Sequence, residues 1–140
     1  MDESKVILEH LNKNFQYVYD KNAYGKRDAW YVMKQVPFEG DCEDYSLTYL
    51  YEVSGRSYIK MFWNLIFGGY KIKFCTVRGE GHAVLRYKDR YLDNIQKEWC
   101  RKDYLEDKGY DFHKSQYWWN IVAVKLVQGW YYSASKKIRD

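Results

Sequence analysis

Apolar positions in the first half of the chain recur at helical spacing, and those in the second half mostly alternate. Val6, Ile7, Leu8, Leu11 and Phe15 follow Ser4 along one stripe, which predicts an N-terminal helix capped by Ser4. Residues 17–29 are polar, include Asn22 and Gly25, and read as a loop. Trp30 to Val36 is apolar and reads as extended, because Pro37 biases Val36 away from helix. Gly40-Asp41 opens a second helix from about Cys42 to Val53, closed by Gly55. A third covers Ser57 to Phe67, with Ile59, Phe62, Trp63 and Ile66 on one side and Gly68-Gly69 as its stop. The period then changes. Tyr70–Val77 and His82–Tyr87 read as strands, Tyr91–Ile95 as a shorter one, and Ile121-Val122-Ala123-Val124 marks Trp118–Val127 as β-rich. Helices followed by antiparallel strands predict an α+β fold, with N-terminal helices packed on an antiparallel sheet. No repeat or long linker divides the chain, so residues 1–140 read as a single domain.

Composition narrows the class. Six Trp, sixteen Tyr and six Phe make 20% of the chain aromatic, which excludes a largely disordered protein. One Pro and nine Gly exclude collagen-like or low-complexity sequence. No apolar run approaches the roughly 18 residues of a membrane span, so no membrane partner is expected. The acidic opening Met1-Asp2-Glu3-Ser4 does not read as a signal peptide. The net charge of +4 is mild, and no recognisable nucleic-acid module accompanies it, so no nucleic-acid partner is expected. Three cysteines, Cys42, Cys75 and Cys100, with no CxxC, argue against a disulfide scaffold and for reduced thiols in a cytoplasm.

Cys42 stands apart from the other two. Gly40-Asp41-Cys42-Glu43-Asp44-Tyr45 puts it in the first turn of a helix, where unpaired N–H groups and the helix dipole lower a thiol's pKa. Two readings fit that position: a small buried residue at a helix start, or a nucleophile. Gly81-His82-Ala83-Val84-Leu85 adds a histidine at a strand start, and Tyr91-Leu92-Asp93-Asn94 adds an aspartate near the end of the next strand. Thiol, base and orienting carboxylate are the groups that nucleophilic catalysis requires. Register tests the set. A loop of Tyr87-Lys88-Asp89-Arg90 pairs Arg86 with Tyr91 and Val84 with Asp93. His82 then lies on the face of Asp93 as its diagonal neighbour, about 7–8 Å away between backbones.

These three motifs, in this order over about residues 30 to 95, resemble the bacterial transglutaminase-like cysteine peptidases, which occur in bacteria and their phages. The resemblance implies a papain-like fold, with Cys42 as nucleophile, His82 as general base and later acid, and Asp93 orienting His82. It implies attack of the Cys42 thiolate on an amide carbonyl of a protein or peptide substrate, through a thioester. The Cys42 N–H is the expected oxyanion donor, and Gln35 is a candidate second one. No cofactor is required. Some relatives bind calcium through acidic residues beside the nucleophile, and Asp41, Glu43 and Asp44 occupy the matching positions. Those three also suit a plain helix start, with Asp41 as cap and Glu43 and Asp44 complementing the dipole.

Neighbouring readings stay open at this stage. Acyl transfer to an amine is one, and a peptidoglycan-cleaving NlpC/P60-like enzyme is another, although Glu43-Asp44-Tyr45 replaces that family's small residues. A binding module on the same fold without turnover is the alternative from another class. A zinc site from Cys42, Cys75, His82 and Cys100 matches no finger or ribbon spacing. His10 and His113 have no partner motif, and Glu80 is expected to face solvent. Trp30 and Trp63 are expected in the core or on a cleft wall. Asp103 to Asp140 carries no catalytic motif; its Tyr110, Phe112, Tyr117, Trp118, Trp119 and Trp130 are expected to cover the sheet or meet a partner.

Overall fold

The computed structural model describes residues 3–17, 30–34 and 36–139, so most of the predicted 17–29 loop and Gln35 lie outside the described residues. Helix α1 (Glu3–Asn14) starts one residue before Ser4, which therefore sits in its first turn and not at its cap. Strand β1 (Phe15–Tyr17) follows and pairs in parallel with β2 (Phe38–Gly40), a short ladder that no periodicity announced. Helix α2 (Cys42–Val53) and helix α3 (Tyr58–Ile66) come next, with Ser57 capping α3 through the Lys60 N–H. Strands β3 (Tyr70–Val77), β4 (Glu80–Tyr87), β5 (Arg90–Leu92) and β6 (Cys100–Arg101) lead to a short helix α4 (Lys102–Asp107). Strand β7 (Tyr110–Tyr117) and helix α5 (Trp119–Arg139) complete the chain.

The main sheet has the order β6-β5-β4-β3-β7, and all its pairings are antiparallel. Helices with an antiparallel sheet make the chain α+β, as expected. Alternation along β4 sorts side chains between two apolar clusters. Ala83 and Leu85 join the larger one, with Leu11, Tyr45, Leu50, Met61 and Val122 from the helices. Val84 joins the smaller one on the other face, with Cys75, Tyr91, Cys100, Leu105 and Tyr110. Helix α2 runs through the larger cluster, and every residue from Asp44 to Tyr51 is buried.

The segment Trp30–Lys34 forms no ladder. It runs along α2 as a strap: the Tyr31 N–H donates to Asp44 Oδ1 at 2.8 Å, and the Met33 N–H to Thr48 Oγ1 at 2.8 Å. Alternate amides of the strap thus meet side chains one helical turn apart. Trp30 N–H donates to the Lys125 carbonyl of α5 at 3.3 Å, which ties the strap to the far end of the chain.

Three further expectations are corrected. Trp118–Val127 is not a strand: it opens α5, because Val122, Leu126 and Gly129 recur at helical spacing and are buried while Ile121, Val124 and Val127 face out. Four apolar residues in a row carry no period of their own, so their β-branching misled. The third helix forms, but Ile59, Trp63 and Ile66 are exposed, and Met61 and Leu65 are its buried residues. That helix is apolar almost all round, so the sequence does not say which face the core takes. The short strand ends at Leu92, not Ile95, since the chain turns at Asp93.

Candidate functional site

Helix α2 presents Cys42 at its first position, and the local sequence explains why the helix starts there. Asp41 Oδ1 accepts from the Asp44 N–H at 3.3 Å, and Asp44 Oδ2 accepts from the Asp41 N–H at 3.2 Å, a reciprocal capping box. Gly40 precedes the cap because a side chain would not fit: a Cβ there would stand 2.7 Å from Asp44 Cβ and 2.9 Å from the Met33 sulfur.

The second component comes from the β4–β5 hairpin. Arg86 pairs with Tyr91 and Leu85 with Leu92, as the sequence register requires. The loop itself is tighter than the four residues expected. Tyr87 also pairs with Arg90, which leaves Lys88-Asp89 as the turn without changing the register. His82 and Asp93 accordingly meet. His82 Nε2 lies 2.8 Å from Asp93 Oδ2, with His82 8% and Asp93 2% exposed. Asp93 takes two further donors. Tyr110 Oη donates to the same Oδ2, and the Gln96 N–H donates to Oδ1 at 2.8 Å. Burial works to raise the Asp93 pKa, but the hydrogen bonds from His82, Tyr110 and Gln96 prevail and hold it below the usual carboxylate range.

Cys42 approaches this pair from the open edge of β4. Leu85 is the last β4 residue paired with β5 before the chain turns away at Asp93. Ala83, two residues back and so aimed at the same side, keeps an N–H that no β5 residue meets. The Cys42 sulfur accepts that N–H at 3.4 Å, and its thiol proton goes to Glu43 Oε2 at 3.3 Å. The structure therefore joins His82 to Asp93, and joins Cys42 to the residue after His82. No hydrogen bond links the Cys42 sulfur to His82 itself. With Nε2 engaged by Asp93, Nδ1 is the ring nitrogen left for a thiol.

The thiol's pKa departs from expectation. The helix start was expected to lower it, yet it is pushed up, by burial first and then by the charges of Glu43 and Asp41, with the Ala83 N–H pulling weakly the other way. Glu43 is itself pushed from 4.5 to about 8, by burial and then by its hydrogen bond to Asp41 and that residue's charge. At neutral pH the Asp41–Cys42–Glu43 group thus holds protons on both the thiol and Glu43. It is a proton store, not a resting thiolate.

The same geometry bears on calcium. Asp44 is spent on the Asp41 and Tyr31 N–H groups and faces away from any shared site with Glu43. The ligand atoms that do converge, within 4.8 Å of one another, belong to Asp41, Cys42 and Glu43. The set that converges thus exchanges the Asp44 carboxylate for the Cys42 thiol, a soft donor that a hard oxygen-seeking cation disfavours, so the expected trio does not fit calcium.

Sequence reasoning missed Tyr110, since only the β3–β7 pairing brings it to Asp93. It also missed the Ala83 amide, although β5 ending at Asp93 would have exposed it. Cys75 and Cys100 are free and buried in the smaller cluster, where Cys75 stands directly across the β3–β4 ladder from His82. Trp30 is core and Trp63 is on the surface. Among the described residues no helix is long and apolar enough to cross a membrane. No protein-family model matches the chain, and no curated protein matches it at a significant level.

Proposed function

We propose that this protein is a cysteine hydrolase of papain-like, transglutaminase-like type that cleaves an amide bond of a peptide in a cytoplasm. One observation carries the reading: the buried His82–Asp93 pair, 2.8 Å apart, adjoins an amide, that of Ala83, which holds the Cys42 sulfur at 3.4 Å. In the proposed reaction His82 Nδ1 takes the Cys42 proton as sulfur attacks the substrate carbonyl. Asp93 stabilises the imidazolium. His82 then delivers that proton to the leaving amine, which departs as the thioester forms. Water, deprotonated by His82, attacks the thioester and releases the carboxylic acid and the Cys42 thiol. The Cys42 N–H at the α2 start favours the carbonyl oxygen as it gains charge. Because the thiol rests protonated, His82 has to act as a base in the attack and not only as a counter-ion.

A binding module that keeps this arrangement without turnover is favoured by one fact, the raised thiol pKa. A peptidyl vinyl sulfone separates the two readings. An enzyme's Cys42 reacts with it, and His82→Ala slows the reaction by about 100-fold or more, while the circular dichroism spectrum is unchanged. If wild-type and His82→Ala protein label Cys42 at one rate, the catalytic reading is wrong and the binding module stands.

A further inference from the structure

The charge of +4 conceals a segregation along the chain. Residues 53–79 contain no acidic side chain and five basic ones, Arg56, Lys60, Lys71, Lys73 and Arg78. Residues 112–139 likewise contain no acid and five bases, Lys114, Lys125, Lys136, Lys137 and Arg139. All 19 acidic residues lie elsewhere, with the remaining 13 basic ones, so one part of the chain carries +10 and the other −6. The fold joins the two acid-free segments. Strand β3 of the first pairs with β7 at the start of the second, and α3 packs against β3 and α5.

The exposed apolar side chains concentrate on these same segments. Ile59, Trp63 and Ile66 follow one helical face of α3 and are exposed, Ile59 at 84% and Trp63 at 63%. Phe67, 69% exposed, packs its ring 4.7 Å from that of Trp63. A groove of about 160 Å³ continues the surface from Ile66 past Lys71 to Trp118 and Trp119, which are themselves exposed. Placing Trp and Ile in water forgoes burial worth a substantial part of a small protein's stability, so such a patch marks a contact surface.

We propose that this face docks on an anionic lipid bilayer. Charge complementarity selects that occupant: the patch lies on segments free of acidic residues, with exposed Lys60 beside Ile59 on α3 and Lys71 lining the groove. The apolar chemistry agrees. Trp and Phe beside Ile and Lys suit the headgroup boundary, where rings enter the acyl edge and ammonium groups stay with the phosphates. Single-stranded nucleic acid would use the rings and the bases but gain little from Ile59 and Ile66. A second copy of the face would set one base-bearing surface, with Lys60 and Lys71, against another. Surface docking needs no spanning helix, so it is consistent with the lack of one among the described residues. It departs from the expectation of no membrane partner, which rested on spanning segments alone. The proposal does not depend on the hydrolase reading.

Flotation of the full chain with phosphatidylcholine vesicles, with and without about 30% phosphatidylglycerol, tests it, read alongside tryptophan fluorescence. The expected result is flotation with anionic vesicles only, a blue shift of the emission, and weakening in high salt. Trp63→Ser with Phe67→Ser, both exposed positions, should lower vesicle affinity roughly tenfold or more. Lys60→Glu alone should weaken it without altering the circular dichroism spectrum. Any of three results overturns the proposal: no preference for anionic vesicles, unchanged affinity in both variants, or a patch-dependent dimer or oligonucleotide complex that forms while vesicles are ignored.

Discussion

Asp93 is a buried carboxylate with three donors, and Glu43, beside Cys42, is a partly buried one with a proton of its own. Their pH dependences have opposite signs. Asp93 is held below its ordinary value, so it contributes stability at neutral pH that is lost as pH falls through the acidic range. Glu43 is held up at about 8. Below pH 4.5 both folded and unfolded chains keep its proton. Between 4.5 and 8 the unfolded chain releases it and the folded chain does not, so stability falls as pH rises through that window. Glu43→Gln keeps the shape and removes the titration. Urea melts should show it more stable than wild type by on the order of 1 to 3 kcal/mol at pH 8, and nearly equal at pH 4.5. It should also speed Cys42 alkylation at about pH 9, where wild-type Glu43 is charged and helps raise the thiol's pKa.

Tyr110 makes a second residue-scale prediction. Its hydroxyl donates to the Asp93 oxygen that holds His82. Tyr110→Phe leaves the ring against His82 but removes that donor, so the carboxylate turns more basic and holds the imidazolium more strongly. The base limb of the vinyl sulfone rate profile should move to higher pH, with a stability loss of about 1 kcal/mol in denaturant titration. A plain packing role for Tyr110 would change stability and leave the profile where it was. His82 and Asp93 were legible in the sequence because a hairpin's register is local. Tyr110 was not, because the place of β7 beside β3 is a property of the whole sheet.

At the scale of elements, the strap and α5 constrain each other. Gly129 sits where the last helix crosses the strap, and a Cβ there would stand 2.1 Å from the Trp30 carbonyl oxygen, a contact with backbone that cannot rotate away. Gly129→Ala would gain helix propensity anywhere else in α5. Here it should lower stability by about 1–3 kcal/mol and reduce the melting temperature in calorimetry. An increase in melting temperature would mean that α5 does not lie against the strap. The elements that sequence predicted well, α2 and the β3–β4 hairpin, carry their own signals: a capping Asp with a stop at Gly55, and alternation broken at Arg78-Gly79. Strand β7 was hidden because His113, Lys114, Ser115 and Gln116 dilute its apolar alternation. Helix α5 was hidden because its β-branched residues outvoted their spacing.

The molecule as a whole depends on contacts between distant parts of the chain. The parts of the proposed catalytic group that sequence reveals, Cys42 to Asp93, are contiguous in the chain's middle, while their supports arrive from residues 110–139. Trp30 reaches Lys125, and Asp93 reaches Tyr110. Charge is divided in the same way, between a +10 region and a −6 region, and an average over the chain made it look mild. A ribosome releases these parts in order. The nascent chain has Cys42, His82 and Asp93 in hand before β7 can flank β3 or α5 can pin the strap. During that interval the carboxylate lacks its tyrosine donor and the strap lacks its anchor. In the proposed hydrolase, Asp93 therefore gains its tyrosine donor and the strap its anchor only after residues 110–139 have been made, when the chain is nearly complete.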